Sequence, residues 1–90
     1  MPITTKEKQR LKAKAHALKP IILIGHHGLT KAVHHEIELA LKSHELIKIR
    51  LPTEDRTLRK ALFAEICKEQ QAEPIQLIGN VAIIYRKAPH

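Results

Sequence analysis

The 90-residue chain predicts an α/β fold: a two-layer sandwich of order α-β-α-β-α-β-β with a mixed four-stranded sheet. Three observations predict it. Apolar residues recur at helical spacing in three separate segments. Short runs rich in Ile, Leu and Val lie between those segments and after the last of them. Gly79-Asn80, between the final two runs, is a two-residue hairpin signal. A strand–helix–strand unit implies parallel pairing with a right-handed crossover, and the terminal hairpin adds an antiparallel pair.

The elements follow in order. Thr4-Thr5-Lys6-Glu7 fits a capping box with Thr4 as N-cap. Leu11, Ala15 and Leu18 then form one narrow apolar stripe, and Pro20 ends this helix because the residue before a proline disfavours helical geometry. Ile21 to Ile24 reads as a buried strand. Gly25-His26-His27-Gly28 is a turn, and Thr30 is the N-cap of a second helix. Val33, Ile37, Ala40 and Leu41 make its buried face; Lys31, His35, Glu38 and Lys42 point away, and it ends near His44. Leu46 to Leu51 alternates apolar and basic residues, a half-buried strand with Lys48 and Arg50 on one side. Pro52 and Thr53 turn the chain. Glu54 and Asp55 suit the first turn of a third helix through its dipole. Leu58, Leu62, Phe63 and Ile66 give its apolar face, which fades at Gln70-Gln71. Ile75–Ile78 and Val81–Tyr85 are the last strands. With no repeat, linker or low-complexity tract, residues 1–90 read as one domain.

Composition narrows the function. An apolar content of 43% places the chain in the folded class. Cys67 stands alone and has no partner for an intrachain disulfide, which favours a reducing compartment. The N-terminal MPITTKEKQR lacks the apolar core of a secretory signal. No apolar run approaches the ~20 residues of a membrane helix. The expectation is a cytoplasmic protein with no membrane partner. Sixteen Lys and Arg against nine Asp and Glu give a net charge of +7. The excess is concentrated at the start, where Lys6, Lys8, Arg10, Lys12, Lys14 and Lys19 face Glu7 alone. Such a stretch suits a polyanion; the plainer explanation is a solvated face. Phe63 and Tyr85 are the only aromatic residues, too few for a platform of rings on which bases stack. A nucleic acid would be read through backbone and shape.

The GHHG loop carries the most specific chemistry. Glycines permit positive φ and leave no Cβ in the way of an approaching backbone. The free N–H groups of the following helix add donors and positive potential. Together these make a phosphate cradle, although Gly-x-x-Gly alone also suits an ordinary tight strand–helix turn. Neutral imidazoles at His26 and His27 would donate hydrogen bonds, and protonated ones would add charge. A metal site is not expected. His34 and His35 diverge by ~100° on a helix, and there is no CxxC or HExxH spacing. Catalysis is not expected either: there is no Walker A lysine, dinucleotide fingerprint or nucleophile elbow, and no cofactor is implied.

HALKPIILIGHHGLT, HELIKIRL, TEDR and QLIGNVAIIYR, with the basic first helix and the order of elements, resemble the CRM domain family in its stand-alone bacterial YhbY-type form, over roughly residues 3 to 87. The resemblance implies a fold similar to the C-terminal domain of translation initiation factor three. It implies RNA binding without catalysis, with precursors of the large ribosomal subunit as the partner of bacterial members and group II intron splicing as the role in plants. It implies an RNA surface of Gly25, His26, His27 and Gly28, with Lys6, Lys8, Lys12 and Lys19 from the first helix and Lys31 beside the loop. The middle loop positions of the family often include a lysine or small polar residue; two histidines here make the loop's charge depend on pH. The resulting expectation is a monomeric ribosome-assembly factor that binds structured ribosomal RNA. The alternative from another class is a protein-interaction module whose basic helix binds an acidic partner.

Overall fold

A computed structural model describes residues 3–88. The elements are α1 (Thr5–Ala15), β1 (Ile22–Leu23), α2 (Lys31–His44), β2 (Leu46–Arg50), α3 (Arg56–Gln70), β3 (Glu73–Ile78) and β4 (Val81–Tyr85). They form the expected three helices and four-stranded mixed sheet. Sheet order is β1-β2-β4-β3, with β1 parallel to β2 and the other pairs antiparallel.

Caps set the helix boundaries. Thr4 Oγ1 accepts from Glu7 N at 3.0 Å, and Thr30 Oγ1 accepts from Val33 N at 3.2 Å, each satisfying a first-turn donor. Asp55 proves to be a cap and not a first-turn residue: its carboxylate accepts from Leu58 N at 3.1 Å, so α3 starts at Arg56 and both residues of the acidic pair lie before its first turn. α1 stops at Ala15, well before Pro20. Its last turn loosens through the bonds His16 N to Ala13 O and Ala17 N to Lys14 O, both 3.3 Å.

Strand alternation divides the apolar residues between two faces. Ile22, Ile47, Ile49, Leu51, Ala82 and Ile84 face α2 and α3 and pack on Ile37, Leu41 and Ile66. The other face presents Leu46, Ile75 and Ile83, covered by Leu11, Ala15 and Leu18 of the α1 segment. This refines the layering: the sheet and α2/α3 form the two-layer body, and α1 is a third layer on its back. A β-bulge between Pro74 and Gln76 lets Ile75 join the α1 side while Leu77 joins the other.

Two expectations of burial are corrected. Ile21 and Leu23 of the first strand are 49% and 67% exposed, because α1 does not reach over them. Leu58 on α3 is 47% exposed, lying in the first turn beyond the edge of the sheet-facing stripe. Cys67 is buried in the α2/α3 core. Desolvation, and secondarily the Glu73 carboxylate, push its thiol up to about 11, so at neutral pH it is a packing group and not a thiolate.

Candidate nucleic-acid interface

The loop that follows β1 sits at one end of the sheet. Ile24 N donates to Arg50 O at 3.0 Å, tying the loop's start to the end of β2. Leu51 N donates to Asn80 O at 2.7 Å, which brings the Gly79-Asn80 hairpin to the same end. Within the loop, Gly28 N donates to Gly25 O at 3.0 Å and Thr30 N to Gly28 O at 3.1 Å. Gly28 has φ +75°, the left-handed region where glycine carries no Cβ penalty. A Cβ at Gly25 or Gly28 would meet nothing within 4 Å, so neither glycine packs against the rest of the fold. His26 and His27 are exposed, with ring centroids 5.5 Å apart and planes 48° from parallel. The first turn of α2, beginning at Lys31, opens directly from this loop; Thr30 takes the Val33 and His34 N–H groups, which leaves those of Lys31 and Ala32 for a ligand.

The expected site residues fall into two groups. Gly25, His26, His27, Gly28 and Lys31 are brought together at the loop. The α1 lysines are not part of that group. α1 starts on the β3 side, where Ile3 and Glu7 lie beside Glu73 and Tyr85, and ends on the β1 side, where Lys14, Leu18 and Lys19 lie beside Ile21 and Lys48. Lys6 is therefore at the far corner. Lys8 and Lys12 are half-buried along the helix, and Lys19 alone of the four lies at the β1 side.

Other cations were overlooked as site candidates. Lys48 and Arg50 were legible as one side of an alternating strand, and Lys14 as part of the basic helix; what could not be read was that they share a sheet face. Arg86 lies with Lys31, His34 and His35 along a polar cleft of about 440 Å³ that also carries Glu38 and Glu69. Gln70 orders its floor: Gln70 Nε2 donates to His34 O at 2.9 Å, and Arg86 Nη1 donates to Gln70 O at 3.0 Å. Nothing in the sequence pattern marked Gln70 as buried, because its partners are distant in the chain.

The site offers hydrogen-bond donors and positive charge, not a reactive centre. Among the described residues, no three His, Cys, Asp or Glu side chains gather where they could hold a metal ion. Nor is any described helix long and apolar enough to cross a membrane.

A model of the CRS1/YhbY (CRM) domain matches residues 3–86. The chain belongs to this family. Among CRM relatives, a probable RNA-binding protein of Pseudomonas aeruginosa is 40% identical over 89 residues, covering 99% of this chain and 86% of its own. An RNA-binding protein of Haemophilus influenzae is 42% identical over 84 residues, covering 93% and 85%. The solution structure of the Staphylococcus aureus protein SAV1595 superposes with a TM-score of 0.86 at 30% identity, covering 98% of this chain and 92% of that one. The CRM match spans all seven elements, so the loop, its Thr30 cap and the α1 layer lie inside the shared domain. The Pseudomonas and Haemophilus relatives are both named for RNA binding.

Proposed function

We propose that this CRM domain binds RNA through the GHHG loop and the first turn of α2, and that its target is precursor ribosomal RNA of the large subunit, on which it acts as an assembly factor. The observation that carries the RNA reading is the open approach at Gly25 and Gly28, where a Cβ would meet nothing within 4 Å, next to the N-terminus of α2 in a chain of net charge +7 whose relatives are named for RNA binding. A phosphate seated there would accept from backbone N–H groups, receive the helix dipole, and lie beside Lys31. The α1 lysines would supply a flank on the other side of the sheet, meeting a different stretch of a large folded RNA. The ribosomal target is supported by the family resemblance and by this two-sided basic surface, which suits structured RNA better than a single strand of fixed sequence.

Sucrose-gradient sedimentation of a tagged copy from growing cells, at low and high salt, tests this reading. Salt-sensitive co-migration with large-subunit precursor RNA is expected, because each neutralised phosphate contributes a slope of about 0.9 in log affinity against log salt on a duplex. Migration at the top of the gradient in both salts would remove ribosomal RNA as the target.

The histidine pair makes a second outcome measurable. Histidine changes charge across the physiological range, and phosphate favours the protonated form. Affinity for RNA is expected to rise as pH falls from about 7.5 to 6. The variant His26→Asn/His27→Asn should flatten that rise. A wild-type affinity that is level across the range would show that protonation of the imidazoles adds nothing to binding.

A further inference from the structure

The back of the sheet is only half covered. α1 crosses the end that carries Leu46, Ile75 and Ile83, and leaves the loop end open. Strand register aligns Leu23, Arg50, Val81 and Ile78 in one row across all four strands. Their chain neighbours Ile22, Ile49, Ala82 and Leu77 pack against α2 and α3, so all four members of the row point to the open face. Leu23 is 67% and Ile78 49% exposed; Arg50 is exposed and Val81 half-buried. At ~4.8 Å between strands the row is about 14 Å long. Ile21 and Lys48 extend it toward α1.

Exposed aliphatic residues on an edge strand carry a cost that proteins commonly avoid. Here they persist beside concentrated positive charge. Lys48 and Arg50 rise from the face, and Lys14 and Lys19 border it at the end of α1. No carboxylate lies among the residues that line the two shallow grooves here. The occupant must therefore be both anionic and apolar. A second copy of the chain suits the face poorly, since a two-fold contact would bring Lys48 and Arg50 against their own symmetry mates.

We propose that this open sheet face holds the bases of an unpaired RNA segment whose backbone is gripped by the GHHG loop. The inference rests on the RNA reading of that loop and adds a second contact to it. Leu23 lies two residues before Gly25 on the same strand end, so a strand seated on the loop can lay its bases over the row without a break. Leu23, Val81 and Ile78 supply apolar contact for base faces. Arg50 supplies the one planar side chain in the row, and guanidinium planes stack on bases. Lys48, Lys14 and Lys19 meet the phosphates that follow. The near absence of aromatic rings thus does not confine the domain to backbone contacts, because an aliphatic row with one arginine takes the place of a ring platform.

The test uses fluorescence anisotropy with three short probes of equal length: an unpaired RNA, the same strand with abasic sites at its centre, and a duplex. Wild-type protein should bind the unpaired strand about tenfold more tightly than the abasic one, the loss expected on removing stacked bases. The variant Leu23→Ser/Ile78→Ser, which changes only exposed side chains, should bind both strands alike while keeping its affinity for the duplex. Arg50→Gln should lower the preference in the same way. Methyl resonances of Leu23, Val81 and Ile78 should shift with the intact strand and not with the abasic one. Equal wild-type affinity for intact and abasic strands, or a preference that survives in both variants, would overturn the proposal and leave the loop reading standing. Failure of wild-type protein to bind any of the probes would bring down the loop reading as well. Self-association of wild-type protein that Leu23→Ser/Ile78→Ser abolishes would assign the face to a second copy. Wild-type binding to polyglutamate that matches its binding to intact RNA and is lost in the variant would assign the face to an acidic protein. Either result would overturn the proposal.

Discussion

Gly25→Asp is expected to weaken RNA binding by about tenfold or more while leaving the fold intact. The substitution sets a carboxylate in the space assigned to a phosphate, and repulsion of like charges in a partly desolvated contact easily reaches 1.4 kcal/mol, the equivalent of tenfold. Gly25 suits the experiment because its backbone is outside the positive-φ region and a Cβ there meets nothing within 4 Å. Gly28→Asp should lose affinity to a similar degree, and in addition lose about 1 kcal/mol of stability, since φ +75° strains an L side chain. Anisotropy titration at fixed salt reads the affinity, and thermal unfolding reads the fold. A folded Gly25→Asp protein with wild-type affinity would take the loop out of the mechanism.

Leu41→Ala should produce the largest change in stability, about 3 kcal/mol. Leu41 is fully buried between α2 and the sheet, where it packs in the same cluster as Ile37, Ile47 and Ile66. A domain of this size has a stability of about 5–13 kcal/mol in all, so one deleted side chain removes a large share. Leu58→Ala makes the comparison, since Leu58 is 47% exposed and should lose no more than about 0.5 kcal/mol. Urea unfolding would show this as a large fall in midpoint for Leu41→Ala and a small one for Leu58→Ala, with similar slopes. Equal losses at the two positions would contradict the burial described above.

Sequence reasoning succeeded where a feature is local. Thr4 and Thr30 were legible as caps because an N-cap side chain bonds a backbone N–H three residues on, within one turn. The end of α2 at His44 and the hairpin at Gly79-Asn80 were legible for the same reason: each depends on a few neighbouring residues. Alternation along Leu46 to Leu51 correctly separated Ile47 and Ile49 from Lys48 and Arg50. Misreadings arose where the answer depends on a distant element. Ile21 to Ile24 looks buried throughout, since four consecutive apolar residues give no sign of which face lacks a cover.

The candidate site divides along the same line. The GHHG loop was visible as a motif, and the structure adds that its glycines pack against nothing and that α2 opens beside it at Lys31. That the α1 lysines lie on the opposite side of the sheet was not visible, because a basic helix carries no record of the face it will cover.

By itself the sequence determined the order of helices and strands, the Thr4 and Thr30 caps, the hairpin, the excess of positive charge and the family. These follow from short-range periodicity, local hydrogen bonding and composition. Only the tertiary structure decided that α1 lies alone on the back of the sheet and covers one end of it. That placement follows from the narrow α1 stripe of Leu11, Ala15 and Leu18, which can bury Leu46, Ile75 and Ile83 but is too short to reach Leu23, Arg50, Val81 and Ile78. The open row beside the loop exists because one short amphipathic helix cannot cover a four-stranded face.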